Sequence, residues 1–215
     1  MISEILRSIE NRFPLTEISA GEYSRMKVNG MNFSIRRYTA QGLGNVSVME
    51  AKGFFGLMRM DTVMVTPFEK DAPLLSYDRI YAMGNDTLIL ELYDTCVKAG
   101  DLSVLSEIKD SSSVLPQRDP GTHWYDGIKL SQSISLKGKK AHGPAFDALT
   151  EKYIASYAEM AMRTEDCDPC AKRERSSVYV EGLLENGGPS TDVFKKSLGE
   201  EKTAALFREV LFGTK

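Results

Sequence analysis

Between residues 32 and 93 the chain carries a series of strand-like segments whose connections are too short for neighbouring strands to run parallel. They fall at 32–38, 46–51, 57–66, 78–83 and 87–93, with Gly, Asn and Pro between them. A parallel pair needs a crossover of a dozen residues or more, so these strands are expected to pair antiparallel. After Cys96 the pattern turns helical. Residues 97–109 place Val104, Leu105 and Ile108 on one face, 110–122 form a Ser/Pro/Gly-rich loop, and 127–136, just after Trp124, read as a last strand or an irregular arm. Residues 144–164, 169–185 and 191–212, the last broken near Gly199, have helical periodicity. At the start, residues 3–12 set Ile5, Leu6 and Ile9 at helical spacing behind Ser3. Strands first and helices afterwards imply an α+β chain with helices covering one or both faces of a central antiparallel sheet. The expected organisation is one domain over 1–215, with a strand-rich half, 1–95, and a helix-rich half, 96–215.

With 42% hydrophobic and 27% charged side chains, the 215 residues have the balance of a globular protein that buries a substantial core. The formal charge of -3 leaves no overall excess of Lys and Arg to neutralise phosphates, which argues against general nucleic-acid binding. No apolar run approaches a membrane span, and the opening MISEILRSIENRF mixes acids and bases too early for a secretory signal. Three cysteines form no disulfide framework and agree with a reducing compartment, so the expected location is cytoplasmic, with no membrane partner. Gly42-Leu43-Gly44 lacks the third glycine and following helix of a nucleotide loop, and no serine or cysteine triad signature is present.

The segment 72–94, APLLSYDRIYAMGNDTLILELYD, reads as two strands around a Gly84-Asn85-Asp86 turn. In the second strand Leu88, Leu90 and Leu92 take one face while Ile89, Glu91 and Tyr93 take the other, so both faces are largely apolar. A carboxylate there costs several kcal/mol to bury unless it is paired, or its pKa rises until it holds a proton near neutrality. Glu91 is therefore either a candidate proton donor or one half of an ion pair, and Asp78, beside the apolar Ile80, poses the same alternatives. Arg36, Arg37 and Arg59 lie within strands, where an arginine on a covered face needs an anionic partner, Glu91 among the possibilities. Cys167-Asp168-Pro169-Cys170 has CxxC spacing, but no second CxxC or histidine pair completes a metal site; Asp168 as helix N-cap with Pro169 in the first turn is the favoured alternative. Met58, Met60 and Met64, at strand alternation, suit a core or a soft wall against a flat ligand.

Several motifs, in order, resemble the ferredoxin-dependent bilin reductases. The closing segment from Pro189 to Gly213, PSTDVFKKSLGEEKTAALFREVLFG, resembles the family's short helix, glycine, and helix ending in Leu-Phe. Pro73-Leu74-Leu75-Ser76-Tyr77-Asp78 is similar to the family's step into a strand that precedes one bearing a catalytic aspartate, which falls approximately at Glu91. His123-Trp124-Tyr125-Asp126 looks like its tryptophan loop, and 176–184, with Tyr179, like its tyrosine-bearing helix. The order agrees over residues 57–213, about two thirds of the chain.

The resemblance implies a three-layer α/β/α sandwich shared with the red chlorophyll catabolite reductases, which are similar to this chain in using glutamate at the Glu91 position. It implies an oxidoreductase with no bound organic or metal cofactor, receiving electrons one at a time from external ferredoxin and reducing a linear tetrapyrrole held between the sheet and the C-terminal helices. Glu91 would donate a proton, and a second acid from the helical half would be Asp166 or Asp168. Lys172 and Arg173, with Arg175 and the cluster Lys137, Lys139 and Lys140, would hold pigment propionates or dock an acidic ferredoxin, and Arg36, Arg59 and Tyr179 would contact the substrate. The rival expectation is a non-catalytic protein of the same fold that binds a small ligand or a partner in that cleft.

Overall fold

A computed structural model of the chain describes residues 1–188 and 190–215; Pro189, which opens the closing segment of the resemblance, lies outside them. The order is α1 (Ile2–Glu10), β1 (Leu15–Ile18), β2 (Arg25–Val28), β3 (Met31–Ala40), β4 (Gly44–Gly53), β5 (Met58–Pro67), β6 (Leu74–Ala82) and β7 (Asn85–Tyr93), then α2 (Ser103–Ser111), β8 (Ile134–Lys139), α3 (Gly143–Arg163), α4 (Pro169–Asn186), α5 (Thr191–Leu198) and α6 (Glu200–Ala205), with Leu206–Leu211 continuing as a π-helix. All strands join one eight-stranded antiparallel sheet in the order β1-β3-β4-β5-β6-β7-β8, and β2 shares the β3 edge with β1.

Alternation along the strands assigns the two faces. Val46, Val48, Val63, Val65, Leu75, Leu88, Leu90 and Leu92 point to one side and pack under α1, α2 and α3 through Ile5, Ile9, Leu105, Phe146, Tyr153 and Tyr157. Phe33, Ile35, Met49, Ala51 and Met64 point to the other side and meet Val180, Leu183, Phe194, Leu206 and Phe207 of the C-terminal helices. The result is the expected three-layer α/β/α sandwich. The C-terminal layer is pinned to the sheet where the π-helical turn frees a carbonyl: Asn45 Nδ2 and Ser47 Oγ both donate to Leu211 O, at 3.0 and 2.7 Å. Among the described residues no helix is long and apolar enough to cross a membrane.

Four local expectations change. The β6–β7 turn is Met83-Gly84, with both residues at positive φ (50° and 73°) and Ala82 opposite Asn85; Asn85 and Asp86 belong to β7 because Arg79 of β6 binds the Asp86 carboxylate across the pair, at 2.5 and 2.7 Å. β6 begins at Leu74, four residues before the expected start. Helix α2 starts at Ser103 rather than 97, since the Asp71 carboxylate takes the amides of Val97 and Lys98 at 2.7 and 2.8 Å and Asp101 caps Ser103. Of the expected strand or irregular arm at 127–136, residues 127–133 are irregular and β8 starts only at Ile134, a strand from the half expected to be helical; β1 and β2, four residues each, are too short for alternation to reveal.

Candidate functional site

A cavity of about 350 Å³ lies between the sheet and the C-terminal layer. Its floor is the upward-facing residues of three adjacent strands: Met58, Met60, Thr62 and Met64 of β5, Ser76, Asp78 and Ile80 of β6, and Ile89, Glu91 and Tyr93 of β7. Register places Thr62 opposite Asp78 and Ser76 opposite Glu91, so the two carboxylates sit diagonally across one strand pair. Tyr179 and Leu183 of α4 and Phe207, Leu211 and Phe212 form the roof, and Arg118, His123 and Tyr125 close one side.

The two acids have different surroundings. Thr62 Oγ1 donates to Asp78 Oδ1 at 2.5 Å and Ser76 Oγ to Oδ2 at 3.2 Å, and among the described residues no cation pairs with it. Burial among methionine and tyrosine pushes its pKa up to about 6 against the pull of the Thr62 hydrogen bond, and the charge of Glu91 pushes the same way. Glu91 instead accepts a hydrogen bond from Tyr93 Oη at 2.6 Å and lies 3.9 Å from Lys129 Nζ, which is itself held by Asp126 at 2.7 Å. Glu91 thus has a cation beside it, whereas the hydrogen-bond partners of Asp78 are hydroxyls.

The aromatic wall is ordered by ring packing. Tyr93 and Tyr179 stack at 4.2 Å, Tyr125 meets Tyr93 edge-on at 5.6 Å, and the His123 ring lies parallel to Tyr125 at 4.8 Å. Burial drives the phenol of Tyr179 well above its ordinary pKa, so it stays neutral. The loop bearing His123 and Tyr125 is anchored by Trp124, whose Nε1 donates to Gly187 O at 3.0 Å while its ring covers Gly182 in α4. A Cβ at Gly182 would lie 2.2 Å from that ring, which explains a glycine inside a helix.

The fold thus brings together Glu91, Asp78 and Tyr179, and it places the other candidates elsewhere. Asp168 caps α4, accepting from the amides of Cys170 and Ala171 at 3.2 and 3.3 Å, and Asp166 pairs with Lys70 at 2.7 Å. Lys172 is fully buried and ties two loops together, donating to Ala72 O and Thr95 O at 2.7 and 2.8 Å with Asp71 Oδ1 3.4 Å away. Arg173 donates to Gly213 O at 2.5 Å with its guanidinium 3.9 Å over the Phe68 ring. Arg36 and Arg59 point to the α1 side of the sheet, where they pair with Glu50 at 3.2 Å and Asp61 at 2.5 Å. Lys172, Arg173, Arg36 and Arg59 have each found a carboxylate or backbone carbonyl away from the cavity, which spacing along the chain could not reveal. Arg118, missed in the sequence, brings a guanidinium to the cavity; among the described residues its one side-chain partner is Ser135 Oγ at 3.0 Å.

A largely apolar slot with one carboxyl poised near pH 6, a second beside a lysine, and an arginine at its side is suited to bind a flat anionic molecule and deliver a proton to it. No protein-family model and no curated protein matches the sequence. Solved structures do match: the crystal structure of phytochromobilin synthase from tomato in complex with biliverdin superposes with a TM-score of 0.80 at 16% identity, over 99% of this chain and 82% of that one. At this identity the likeness shows the fold, which is the one the motif order implied.

Proposed function

We propose that this protein binds an open-chain tetrapyrrole between the sheet and the C-terminal helices and reduces it with electrons supplied by an external ferredoxin. The observation that carries the reading is Asp78: an acid with a pKa near 6 and no cationic partner among the described residues, facing a slot walled by methionine and tyrosine. Biliverdin occupies the matching protein of like fold, which supports a pigment of that chemical class. Saturating one pigment double bond consumes two electrons and two protons. The electrons arrive singly from ferredoxin and reside on the pigment; Asp78 gives one proton from its neutral form and is left as carboxylate, and the second proton comes from bulk water and is passed to the pigment by Glu91, whose side chain also lies where it steadies positive charge on the pyrrole nitrogens. Arg118 binds a propionate, and the methionine and tyrosine walls exclude water from the radical.

A second reading, a binding protein without turnover, draws on the Lys129–Glu91 contact, which sets a cation 3.9 Å from one of the two acids. Anaerobic titration with biliverdin, then with reduced ferredoxin, separates the two. Enzyme activity predicts a shifted bound spectrum that bleaches only with reductant. Bleaching should slow by about 10²-fold or more in Asp78→Asn while biliverdin affinity changes little. The wild-type single-turnover rate should be flat below pH 6 and fall as the pH rises above it. A bound spectrum that never bleaches leaves the binding reading, and no spectral change removes biliverdin as ligand.

A further inference from the structure

At one end of the sheet the turns project apolar side chains into solvent. Phe55 and Met83 are the most exposed large apolar residues among those described, at 108% and 91%, and Leu57 and Phe54 stand beside them at 70% and 54%. They share one end because Met58 lies opposite Gly53 on one side and Ala82 on the other, which sets the β4–β5 and β6–β7 turns about 10 Å apart, two strand spacings. The backbone is strained at the same places: Phe54, Phe55 and Met83 have φ of 51°, 56° and 50°, a left-handed conformation unfavourable for bulky residues. Side chains this exposed gain no packing within the chain to offset that strain, which points to a function for the turns.

Cations rim the apolar tips. Register lines up Lys27, Asn32, Lys52 and Arg59 in one row across four strands, and Lys139 sits opposite Asn85 beside the second turn, next to Lys140. Among the described residues Lys27, Lys52, Lys139 and Lys140 have no carboxylate partner, while the acids nearby are already paired: Asp61 and Asp86, both buried, with Arg59 and Arg79, and the partly exposed Glu50 with Arg36. This end is therefore locally positive on a chain of net charge -3.

We infer that the Phe54–Leu57 and Met83 turns dock on an anionic lipid surface, with the apolar tips entering the headgroup region and the lysines resting on phosphates. Protruding tips need no complementary hollow in the partner, which distinguishes a bilayer from a folded protein as occupant, and apolar tips ringed by lysine match an acidic leaflet in both polarity and charge. The inference is independent of what fills the cavity.

Co-sedimentation with phosphatidylcholine vesicles, with and without phosphatidylserine, tests it. The wild-type chain should partition onto the phosphatidylserine vesicles only, and less so as salt is raised. The double substitution Phe54→Asn/Phe55→Asn keeps residues that accept the left-handed backbone; it should cut partitioning by roughly tenfold or more and leave the far-ultraviolet circular dichroism unchanged. Lys52→Gln/Lys139→Gln should weaken binding several-fold and flatten its salt dependence. Failure to sediment with anionic vesicles, equal sedimentation with neutral ones, or an unaffected Phe54→Asn/Phe55→Asn variant would overturn the inference. So would a lipid-free dimer that the same variant dissociates, since that assigns the tips to a second copy of the chain.

Discussion

The two faces of the sheet are made from alternate residues of the same strands, and they solve opposite problems. Under α1, α2 and α3, Leu88, Leu90, Leu92 and Tyr77 are fully buried, and the Arg79 and Asp86 side chains, each 1% exposed, close on each other through two hydrogen bonds. One residue along, Asp78, Ile89, Glu91 and Tyr93 face a cavity, with a carboxyl whose only side-chain partners among the described residues are two hydroxyls. The difference teaches that the closed face carries the stability that lets the open face keep an acid in an unfavourable place.

Substitutions on the two faces should separate in size and sign. Arg79→Met strands the Asp86 carboxylate in the closed face and should cost about 3–5 kcal/mol in denaturant unfolding, the largest effect; a cost below about 1 kcal/mol would mean that the closed face admits water. On the open face, Gly182→Ala drives a methyl into the Trp124 ring and should cost about 1–3 kcal/mol, with a shifted tryptophan emission as the loop bearing His123 and Tyr125 is displaced.

Asp78→Asn should act with the opposite sign. With a folded pKa of about 6 against an ordinary 3.8, Asp78 binds its proton more tightly in the folded chain, so stability falls as pH rises from about 4 to about 6 and the penalty is complete above that. The variant should be more stable than wild type by on the order of 1–2 kcal/mol at pH 7 to 8 and equal to it near pH 3 to 4, by thermal unfolding across that range. A uniform loss at every pH would assign Asp78 a structural role through Thr62 and Ser76. The smallest effect is Asp168→Ala, which removes the α4 cap at a cost of about 1 kcal/mol and should leave pigment affinity unchanged; a weakened pigment complex would return Asp168 to the site.

Much of the architecture can be read along the chain because it rests on periodicity. The split of Leu88, Leu90 and Leu92 from Ile89, Glu91 and Tyr93 holds across the sheet, and α3 and α4 fall within a residue or two of the expected 144–164 and 169–185. Where the reading fails, a distant partner has intervened. Asp71 delays α2 by claiming the amides of Val97 and Lys98, and Arg79 draws Asp86 out of the expected turn into β7. In the candidate site the two strand acids and Tyr179 could be found by their faces, whereas Arg118, His123 and Tyr125 come from a loop with no periodic signal.

The amino-acid order by itself determined the antiparallel pairing, the helical C-terminal layer and which strand residues share a face, because turn chemistry and side-chain alternation act over a few residues. Tertiary structure alone decided which charges are free. Lys172 reaches Ala72 across a hundred positions, and Trp124 covers Gly182. Asp78 keeps a raised pKa because burial penalises its charge and, among the described residues, no cation pairs with it, and the strength of a charge depends on the solvent and partners that the whole fold assembles around it.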